Sequence, residues 1–188
     1  ITVPDKYPLP LIEEQLKRLS GAKFFTSLDL FSGYYQIPMS PESIPLTAFV
    51  TQDGHYEFVR VPFGLMNAPA VFQRTLNLVL GQLRFTKILL YLDDILIPAA
   101  TIQESLEILE EVLEIFQTNG LTLNLKKCTF LATKIQYLGY EISNSSIQPS
   151  RSKIAAVAQF PRPSNIHQVR QIFGLNGIFS QVYPRLCL

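Results

Sequence analysis

One stretch constrains the fold of this chain more than any other: residues 87–97 place Asp93 and Asp94 inside a run that is otherwise apolar apart from Lys87 and Tyr91. Burying a carboxylate is costly unless a cation or hydrogen-bond donors compensate its charge. An apolar strand, two acids and a second apolar strand fit a β-hairpin whose turn holds the carboxylates at a sheet edge. Oxygen ligands at such an edge can bind a hard divalent cation. The alternative is an ordinary polar turn, because Asp is common in turns.

A metal site at this hairpin needs a further acid. Successive strand residues point to opposite faces, so Asp93 and Asp94 cannot contact one ion equivalently unless the turn splays them. Asp29 also ends an apolar strand, in which it faces away from Leu28 and Leu30. Carboxylates from two neighbouring strands can hold two ions roughly 3.5–4 Å apart, which stabilise the attacking and leaving oxygens in phosphoryl transfer. Asp29, Asp93 and Asp94 are therefore the candidate catalytic residues.

Periodicity and turn residues predict the other elements. Helices are expected at residues 10–20, 67–83, 101–118, 151–160 and 165–179, and strands at residues 24–30, 47–51, 55–61, 121–125 and twice within 129–143. Thr101 and Glu104 form a capping box, and Asn67 is the expected N-cap of the second helix. The expected buried stripe of helix 101–118 is Ile102, Leu106, Leu109, Leu113 and Phe116. Helices interleaved with hairpins predict an α+β fold with a mainly antiparallel sheet.

The charge of the chain is unevenly distributed. With 47% hydrophobic residues and a formal net charge of +1, the 188 residues exclude a wholly disordered chain and give no overall sign of a nucleic-acid binder. Residues 101–118 carry five Glu and no basic residue, whereas residues 119–188 carry eight basic residues against Glu141 alone. The C-terminal third could therefore lie along a phosphate backbone, with an ordinary solvated surface as an equal alternative.

The sequence contains no signal for export or membrane insertion. Residues 1–10 lack the basic patch and apolar core of a secretory signal, and no apolar run approaches the ~18 residues needed to cross a bilayer. Cys128 and Cys187 are far apart and lack metal-ligand spacing, so neither a disulfide framework nor a zinc site is indicated. We expect a soluble intracellular protein without a membrane partner.

Four motifs occur in a characteristic order and spacing. They are SLDLFSGYYQI at residues 27–37, VPFGLMNAPAVFQ at residues 61–73, YLDD at residues 91–94 and YLGY at residues 137–140. Through these motifs the chain resembles the reverse transcriptase of gypsy-type LTR retrotransposons and, more distantly, of retroviruses. The resemblance implies a polymerase palm with partial fingers in residues 1–150 and the beginning of a truncated thumb in residues 151–188.

The resemblance also implies roles for individual residues. Two Mg²⁺ ions, with Mn²⁺ as an alternative, would be bound by Asp29, Leu30 through its main-chain oxygen, Asp93 and Asp94. The incoming nucleotide would contact Phe31, Ser32, Gly33, Tyr34 and Gln73. Tyr34 would act as a steric gate against a ribose 2′-hydroxyl. Template and primer would contact Phe63, Gly64, Tyr91, Leu92, Tyr137, Leu138, Gly139 and Tyr140, the last four as the primer grip.

The implied activity is that of an RNA-directed DNA polymerase, a nucleotidyltransferase that adds dNTPs to a primer 3′-hydroxyl on an RNA or DNA template. One ion would activate that hydroxyl and the other would neutralise the pyrophosphate, so no protein nucleophile is required. Some basic residues would contact phosphates, from among Lys126, Lys127, Lys134, Arg151, Lys153, Arg162 and Arg170. The chain is expected to be a fragment of a longer Pol polyprotein with RNase H and integrase regions, in cytoplasmic virus-like particles or the nucleus.

Two rival functions stay open. An inactive element-derived domain could retain the palm and bind nucleic acid or a protein, and another metal-dependent nucleotidyltransferase could use a similar palm. Retention of the three acids together with Tyr34 and Gln73 favours the polymerase over the inactive domain. The steric gate and the primer-grip motif disfavour the other nucleotidyltransferase. On sequence alone, Tyr34 would be a core aromatic residue and Gln73 a solvated helix position.

Overall fold

The computed structural model describes residues 2–144, 146–159 and 165–168, and two compact units, Ile1–Thr133 and Lys134–Leu188, divide the chain. The first unit contains, in chain order, α1 Ile12–Lys17, β1 Phe24–Asp29, β2 Phe49–Thr51, β3 Gly54–Tyr56, α2 Ala68–Leu80, α3 Leu83–Thr86, β4 Leu89–Tyr91, β5 Asp94–Ala99, α4 Ile102–Thr118 and β6 Thr129–Ala132. Short 3₁₀ helices lie at Gly33–Gln36 and Pro45–Thr47.

The main sheet of the first unit is built on the two strands that carry acids. Its strand order is β4-β5-β1-β6, and every neighbouring pair is antiparallel. β5 is central and buries Ile95, Leu96 and Ile97 in succession, which explains why this strand is a continuous apolar run rather than an alternating one. Full burial of one such side chain contributes about 1.5–3 kcal/mol. The expected α+β fold with a mainly antiparallel sheet is confirmed.

Helix α4 packs on this sheet through a face that differs from the predicted one. It contacts β1 and β5 and buries Ser105, Ile108, Val112 and Phe116. Of the predicted stripe, Phe116 is buried, but Ile102, Leu106 and Leu113 remain 48%, 44% and 41% exposed. The helix is apolar over a wide arc, so amphipathicity alone does not select one face. Packing on the sheet determines which face of α4 is buried. The Ser105 hydroxyl on that face lies 3.4 Å from the Thr26 hydroxyl on β1.

Several local predictions are confirmed with adjusted limits. The β2–β3 hairpin turns before Gly54, and α2 begins directly after Asn67. The Asn67 side chain, however, bonds the main chain at Val3 and Asp5 rather than the helix terminus. Helix α1 is shorter than residues 10–20. The Thr101 hydroxyl accepts from the Glu104 amide at 3.2 Å as a capping box requires, while the Glu104 carboxylate accepts from Ala100 N.

The predicted strand at residues 121–125 is wrong. In the described chain this segment is a loop whose only strand-like feature is an isolated bridge between Leu123 and Leu30. Its backbone is fixed by long-range bonds instead, from Phe31 N to Thr122 O and from Asn124 N to Asp29 O. Leu121 and Leu123 pack against the core and anchor this loop, whereas Leu125 is exposed.

The second unit contains β7 Lys134–Tyr137, β8 Tyr140–Ser143, β9 Ser146–Pro149 and α5 Arg151–Ala158. The three strands form one antiparallel sheet in sequence order. Residues 129–143 thus contribute to three strands rather than the two expected, and the helix expected at 151–160 is confirmed. Most of the helix expected at 165–179 lies outside the described residues. Among the described helices, none has both the length and the apolar character required to span a bilayer.

Candidate active site

The main sheet brings acids from distant parts of the chain to one edge. Asp29 ends β1, Asp94 begins β5, and the two residues are direct partners in the antiparallel register. Tyr91 and Asp94 close the β4–β5 hairpin, so Leu92 and Asp93 form its two-residue turn. The predicted hairpin is confirmed. Leu92 has a φ of 53°, a left-handed conformation that non-glycine residues rarely adopt and that stores strain.

Asp29 and Asp93 line the same cavity, which has a volume of about 270 Å³. The continuous segment 29–34 forms one wall, and the side chains of Phe63 and Phe72 contribute to another. Asn124 and Lys127 from the loop after α4 complete the lining. Asp94 is outside this lining. The structure thus places two of the three predicted catalytic acids, and all of residues 30–34, around one space.

The wall formed by residues 30–34 has an unusual backbone. Ser32 has a φ of 48° at the start of the 3₁₀ turn. Gly33 packs so closely on α2 that a Cβ there would lie 2.7 Å from Cζ of Phe72, so only glycine fits without displacement. The Tyr34 ring contacts Phe63 and Phe72 edge-on, with both centroid distances 5.1 Å. These contacts fix the Tyr34 ring at the cavity, while the Phe31 side chain is exposed.

The acids repel one another electrostatically. Burial first, and then the negative charges of Asp93 and Asp29, raise the pKa of the Asp94 carboxyl. Burial and the charge of Asp93 also raise the pKa of the Tyr34 hydroxyl, which therefore stays protonated at neutral pH. The cluster gains stability from any cation that neutralises it.

This donor set fits a hard divalent cation that is completed by other ligands. Within the described residues, no three side chains of His, Cys, Asp or Glu are arranged to hold an ion by themselves. Magnesium, however, is usually bound by one or two carboxylates together with water and substrate phosphates, rather than by an all-protein cage. Asp29 and Asp93 provide two carboxylates at one cavity, and their mutual repulsion with Asp94 provides the electrostatic reason for a cation.

A lysine lies at the first of these acids. The Nζ atom of Lys127 is 3.5 Å from the Asp29 carboxylate, and the pair is largely solvent-exposed on the lysine side. The same loop holds Asp29 through Asn124 N, which donates to Asp29 O at 2.8 Å, and through the Cys128 sulfur, which accepts from Asp29 N at 3.4 Å. Sequence analysis anticipated Lys127 only as one of several phosphate contacts and missed Asn124, because neither belongs to a recognised motif.

The Gln73 side chain is enclosed by the protein. It is 0% exposed, so the solvated position expected from periodicity is wrong. Its Oε1 accepts from Leu92 N at 2.7 Å, and its Nε2 donates to Asn77 Oδ1 at 3.1 Å. Both ends of the amide are thus bound within the protein. In this geometry the Gln73 side chain supports the Leu92–Asp93 turn through the Leu92 main chain.

The residues assigned to template and primer fall into two groups. In the first unit, Phe63 is exposed at the cavity, Gly64 has a φ of 91°, and Tyr91 and Leu92 are half-buried beside the acids. A Cβ at Gly64 would meet no described atom within 4 Å, so its positive φ rather than crowding favours glycine. These residues are placed next to the cavity by the hairpin and by the loop before α2.

The second group forms the turn of the β7–β8 hairpin in the second unit. Tyr137 and Tyr140 are 3% and 4% exposed, whereas Leu138 and Gly139 form the turn with φ angles of 49° and 77°. Lys153 of α5 braces this turn, because its Nζ donates to Leu138 O at 3.0 Å and lies 4.5 Å from the Tyr140 ring centroid. Burial lowers the pKa of Lys153. The accessible part of this motif is therefore its turn, not its tyrosine rings.

Comparison with known proteins agrees with this architecture. The model of the family described as reverse transcriptase (RNA-dependent DNA polymerase) matches residues 1–142. The chain is 40% identical over 184 residues to the retrovirus-related Pol polyprotein from transposon 297 of Drosophila melanogaster, covering 98% of this chain and 17% of that protein. It is 35% identical to the Pol polyprotein from transposon gypsy of the same fly, covering 95% of this chain and 17% of that protein.

Solved structures resemble the chain in the same way. A foamy viral protease-reverse transcriptase in complex with double-stranded DNA superposes with a TM-score of 0.80 at 26% identity, covering 95% of this chain and 31% of that one. The same viral protein in complex with an RNA/DNA hybrid gives a TM-score of 0.77 at 25% identity, covering 98% of this chain and 26% of that one. The chain thus spans less than a third of these proteins.

The antiparallel sheet carries acids at a strand end and at a neighbouring hairpin turn and is packed on helices, an arrangement consistent with an α+β palm. The chain belongs to the reverse transcriptase (RNA-dependent DNA polymerase) family. Its relatives include Pol polyproteins of gypsy-type transposons, which confirms the resemblance drawn from the four motifs. Members of this family generally use divalent metal ions.

Proposed function

We propose that this chain is the palm of an RNA-directed DNA polymerase that transfers nucleotides from dNTPs to a primer 3′-hydroxyl. The observation that carries the proposal is the shared cavity of Asp29 and Asp93, which are 64 positions apart in the sequence. The Tyr34 ring stands at the same cavity and is fixed by two aromatic contacts. Acids and a shape-selective ring around one space are what selective nucleotidyl transfer requires.

The proposed metal ligands are Asp29 and Asp93, with support from Asp94 and the main-chain oxygen of Leu30, for two Mg²⁺ or Mn²⁺ ions. When bound, such ions activate the primer hydroxyl and neutralise the leaving pyrophosphate. Raised pKa values at Asp94 and Tyr34 support a cation here, because both shifts arise partly from uncompensated negative charge. In this proposal Asp94 acts on the ions mainly through the electrostatic attraction of its negative charge.

The remaining cavity residues position the nucleotide. Residues 30–34 line the cavity, and the small residues Ser32 and Gly33 leave the backbone accessible there, with Gly33 packed closely on Phe72. The protonated Tyr34 ring excludes a ribose 2′-hydroxyl by its volume. Lys127, already at the cavity, offers an ammonium group to the phosphates once a metal ion competes for Asp29. Gln73 contributes indirectly, through the Leu92 main chain.

The proposed partners are a template of RNA or DNA with its primer, dNTPs, and the remaining regions of a Pol polyprotein such as RNase H and integrase. The solved complexes of the foamy viral protein with double-stranded DNA and with an RNA/DNA hybrid support nucleic acid as partner. We propose residues 1–150 as palm with partial fingers and residues 151–188 as the beginning of the thumb. The turn of residues 137–140 would hold the primer, and a virus-like particle in the cytoplasm, or the nucleus, is the proposed location.

Primer extension tests the proposal. The chain, and a version extended at its N-terminus, are given an RNA template, a DNA primer, dNTPs and Mg²⁺, and Asp93→Asn is compared with Asp53→Asn. Asp53 is an exposed acid in the β2–β3 turn and serves as the matched control. We expect Asp93→Asn to reduce incorporation at least about a hundredfold, because the transition-state charge loses a metal ligand. Asp53→Asn should retain activity.

Binding of the primer–template is measured alongside. Asp93→Asn should leave its affinity nearly unchanged, since the acid acts on the chemical step. Binding without incorporation by either wild-type protein would reject the polymerase and support a binding domain that retains the palm. Equal loss of affinity and incorporation in Asp93→Asn would also contradict the proposed role.

A further inference from the structure

The two residues of the acidic turn, Leu92 and Asp93, lie outside the paired positions of the hairpin ladder. Leu92 is the first residue of this turn and has a positive φ. The Gln73 side chain meets the Leu92 N–H, with its Oε1 2.7 Å from Leu92 N. The Leu92 amide is partly buried, so losing its acceptor would carry a desolvation cost, and this contact stabilises the turn in its strained conformation.

Gln73 is itself held by a relay of side chains. Its Nε2 donates to Asn77 Oδ1 at 3.1 Å, and Asn77 Nδ2 donates to the Tyr7 hydroxyl at 2.7 Å. Because Leu92 N–H can only donate, it fixes which end of the Gln73 amide faces the turn, and this in turn fixes the Asn77 amide. Gln73 and Asn77 are 0% and 9% exposed, where such bonds are strong and costly to break.

Tyr7, the last residue of this relay, belongs to an N-terminal segment that is bound to α2 and to Asn67 just before it. Arg74 pairs with Asp5 at 2.6 Å, and its guanidinium lies 4.8 Å from the Tyr7 ring centroid. Asn67 accepts from Asp5 N at 3.0 Å and donates to Val3 O at 2.9 Å. Tyr7 is therefore held from both sides, although the segment itself has no helix or strand in the described chain.

We propose that Asn77 and Tyr7 are positioning residues for nucleotidyl transfer, which act through Gln73 on the Leu92 N–H and so aim Asp93 at the cavity. The inference rests on the proposed polymerase function. Its physical basis is that a reacting centre loses rate steeply when a ligand shifts by a fraction of an ångström. In the part of the chain that the structure describes, Gln73 is the residue whose side chain hydrogen-bonds the main chain of the turn that bears Asp93.

Steady-state kinetics of the polymerase-active protein that contains this chain provide the first test. Tyr7→Phe removes one hydroxyl and keeps the ring on Arg74, and Asn77→Leu removes both relay bonds. We expect kcat to fall about threefold and about tenfold or more, respectively, with primer–template affinity unchanged. Asn77→Asp should restore most of the rate, because a carboxylate accepts from Gln73 and from the Tyr7 hydroxyl. Tyr56→Phe, on the exposed β3 strand, is the matched control and should retain wild-type kcat.

A double-mutant cycle separates a relay from independent packing effects. If Tyr7 acts through Gln73, then Tyr7→Phe combined with Gln73→Met should be no slower than Gln73→Met alone. Rate losses that multiply would overturn the relay, as would an unchanged kcat in Tyr7→Phe or a failure of Asn77→Asp to recover rate.

Amide hydrogen exchange reads the relay without any activity. The Leu92 amide, followed in a peptide spanning residues 90–95, should exchange faster in Tyr7→Phe and Asn77→Leu than in wild type, and at the wild-type rate in Tyr56→Phe. If wild type incorporates no nucleotide but this pattern is seen, the polymerase proposal fails while the relay to the turn stands. Unchanged exchange in both relay variants would overturn the inference even in an active enzyme.

Discussion

Asp94 differs from the other two acids in how its ionisation affects the folded chain. Its side chain contacts solvent, yet it stands opposite Asp29 in the sheet and next to Asp93 in the turn. Burial and these two charges raise its pKa. A carboxyl with a raised pKa holds its proton more tightly in the folded state than in the unfolded state, so ionising it opposes folding.

This shift predicts a pH-dependent stability of the metal-free protein. Between the ordinary pKa of an Asp carboxyl and the raised one, the native state binds more protons than the unfolded state, so stability falls as pH rises through that window and stays reduced above it. Asp94→Asn should therefore raise Tm at neutral pH in EDTA, by a modest amount because the side chain is solvent-exposed.

Thermal unfolding of Asp94→Asn, wild type and Asp53→Asn checks this prediction. The Tm advantage of Asp94→Asn should shrink as pH is lowered through the ordinary pKa of an Asp carboxyl to about 3 or below, where the wild-type carboxyl is mostly protonated in both states. Asp53→Asn, an exposed turn acid, should show no such trend. An advantage for Asp94→Asn that persisted unchanged at low pH would point to packing instead of charge.

At the scale of an element, the β7–β8 hairpin depends on one helix residue. Its turn uses left-handed conformations at Leu138 and Gly139, and Lys153 lies across it. A Cβ at Gly139 would be 2.0 Å from Lys153 Cε, so substitution requires the lysine to leave its bond to Leu138 O. The turn is thus fixed by backbone conformation and by a contact from α5 together.

Gly139→Ala should therefore be more harmful than an ordinary Gly→Ala change at positive φ. We expect roughly 1–3 kcal/mol of local destabilisation from backbone strain, and about a further 1 kcal/mol from the lost lysine bond. Gly120→Ala is the control, because Gly120 has a φ of 68° but its Cβ would meet no described atom within 4 Å. Amide exchange across β7 and β8, and across the end of α4 for Gly120, measures both. Equal costs would show that Lys153 adds nothing.

At the scale of the whole molecule, the formal net charge of +1 conceals an uneven distribution of acidic and basic residues along the chain. Residues 119–188 hold eight basic residues against one acidic residue, whereas α4 carries five Glu and no basic residue. The basic side chains are not equivalent. Arg151 is exposed at the start of α5, but the ammonium of Lys153 is occupied by Leu138 O and the Tyr140 ring.

We therefore expect Arg151 rather than Lys153 to contact phosphates. Arg151→Gln should weaken primer–template binding similarly for all sequences and reduce the slope of log affinity against log salt by about 1. Lys17→Gln, an exposed lysine on α1, is the matched control and should leave affinity and slope unchanged. Fluorescence anisotropy titrations at several salt concentrations measure both, and an unchanged slope for Arg151→Gln would exclude this contact.

The sequence by itself determined the features that depend on neighbours along the chain. The hairpin around Asp93 and Asp94, the apolar strand that ends in Asp29 and the Thr101 capping box follow from local periodicity and turn chemistry. The ordered motifs identified the family for the same reason, since each motif is a short contiguous run. Even the pairing of two distant acids was inferred, because both terminate apolar strands.

Only the tertiary structure decided which partner each ambiguous residue takes. The buried face of α4 was set by the sheet, the leucine-rich run at 121–125 became a loop bound to Asp29, and Gln73 turned inward to Leu92. Each outcome depends on hydrogen bonds or packing between residues far apart in sequence, and these have no local pattern. From the sequence alone Gln73 is expected to be solvated. In the folded chain it is buried, because its side-chain amide bonds the Leu92 main chain and Asn77, which no sequence pattern indicates.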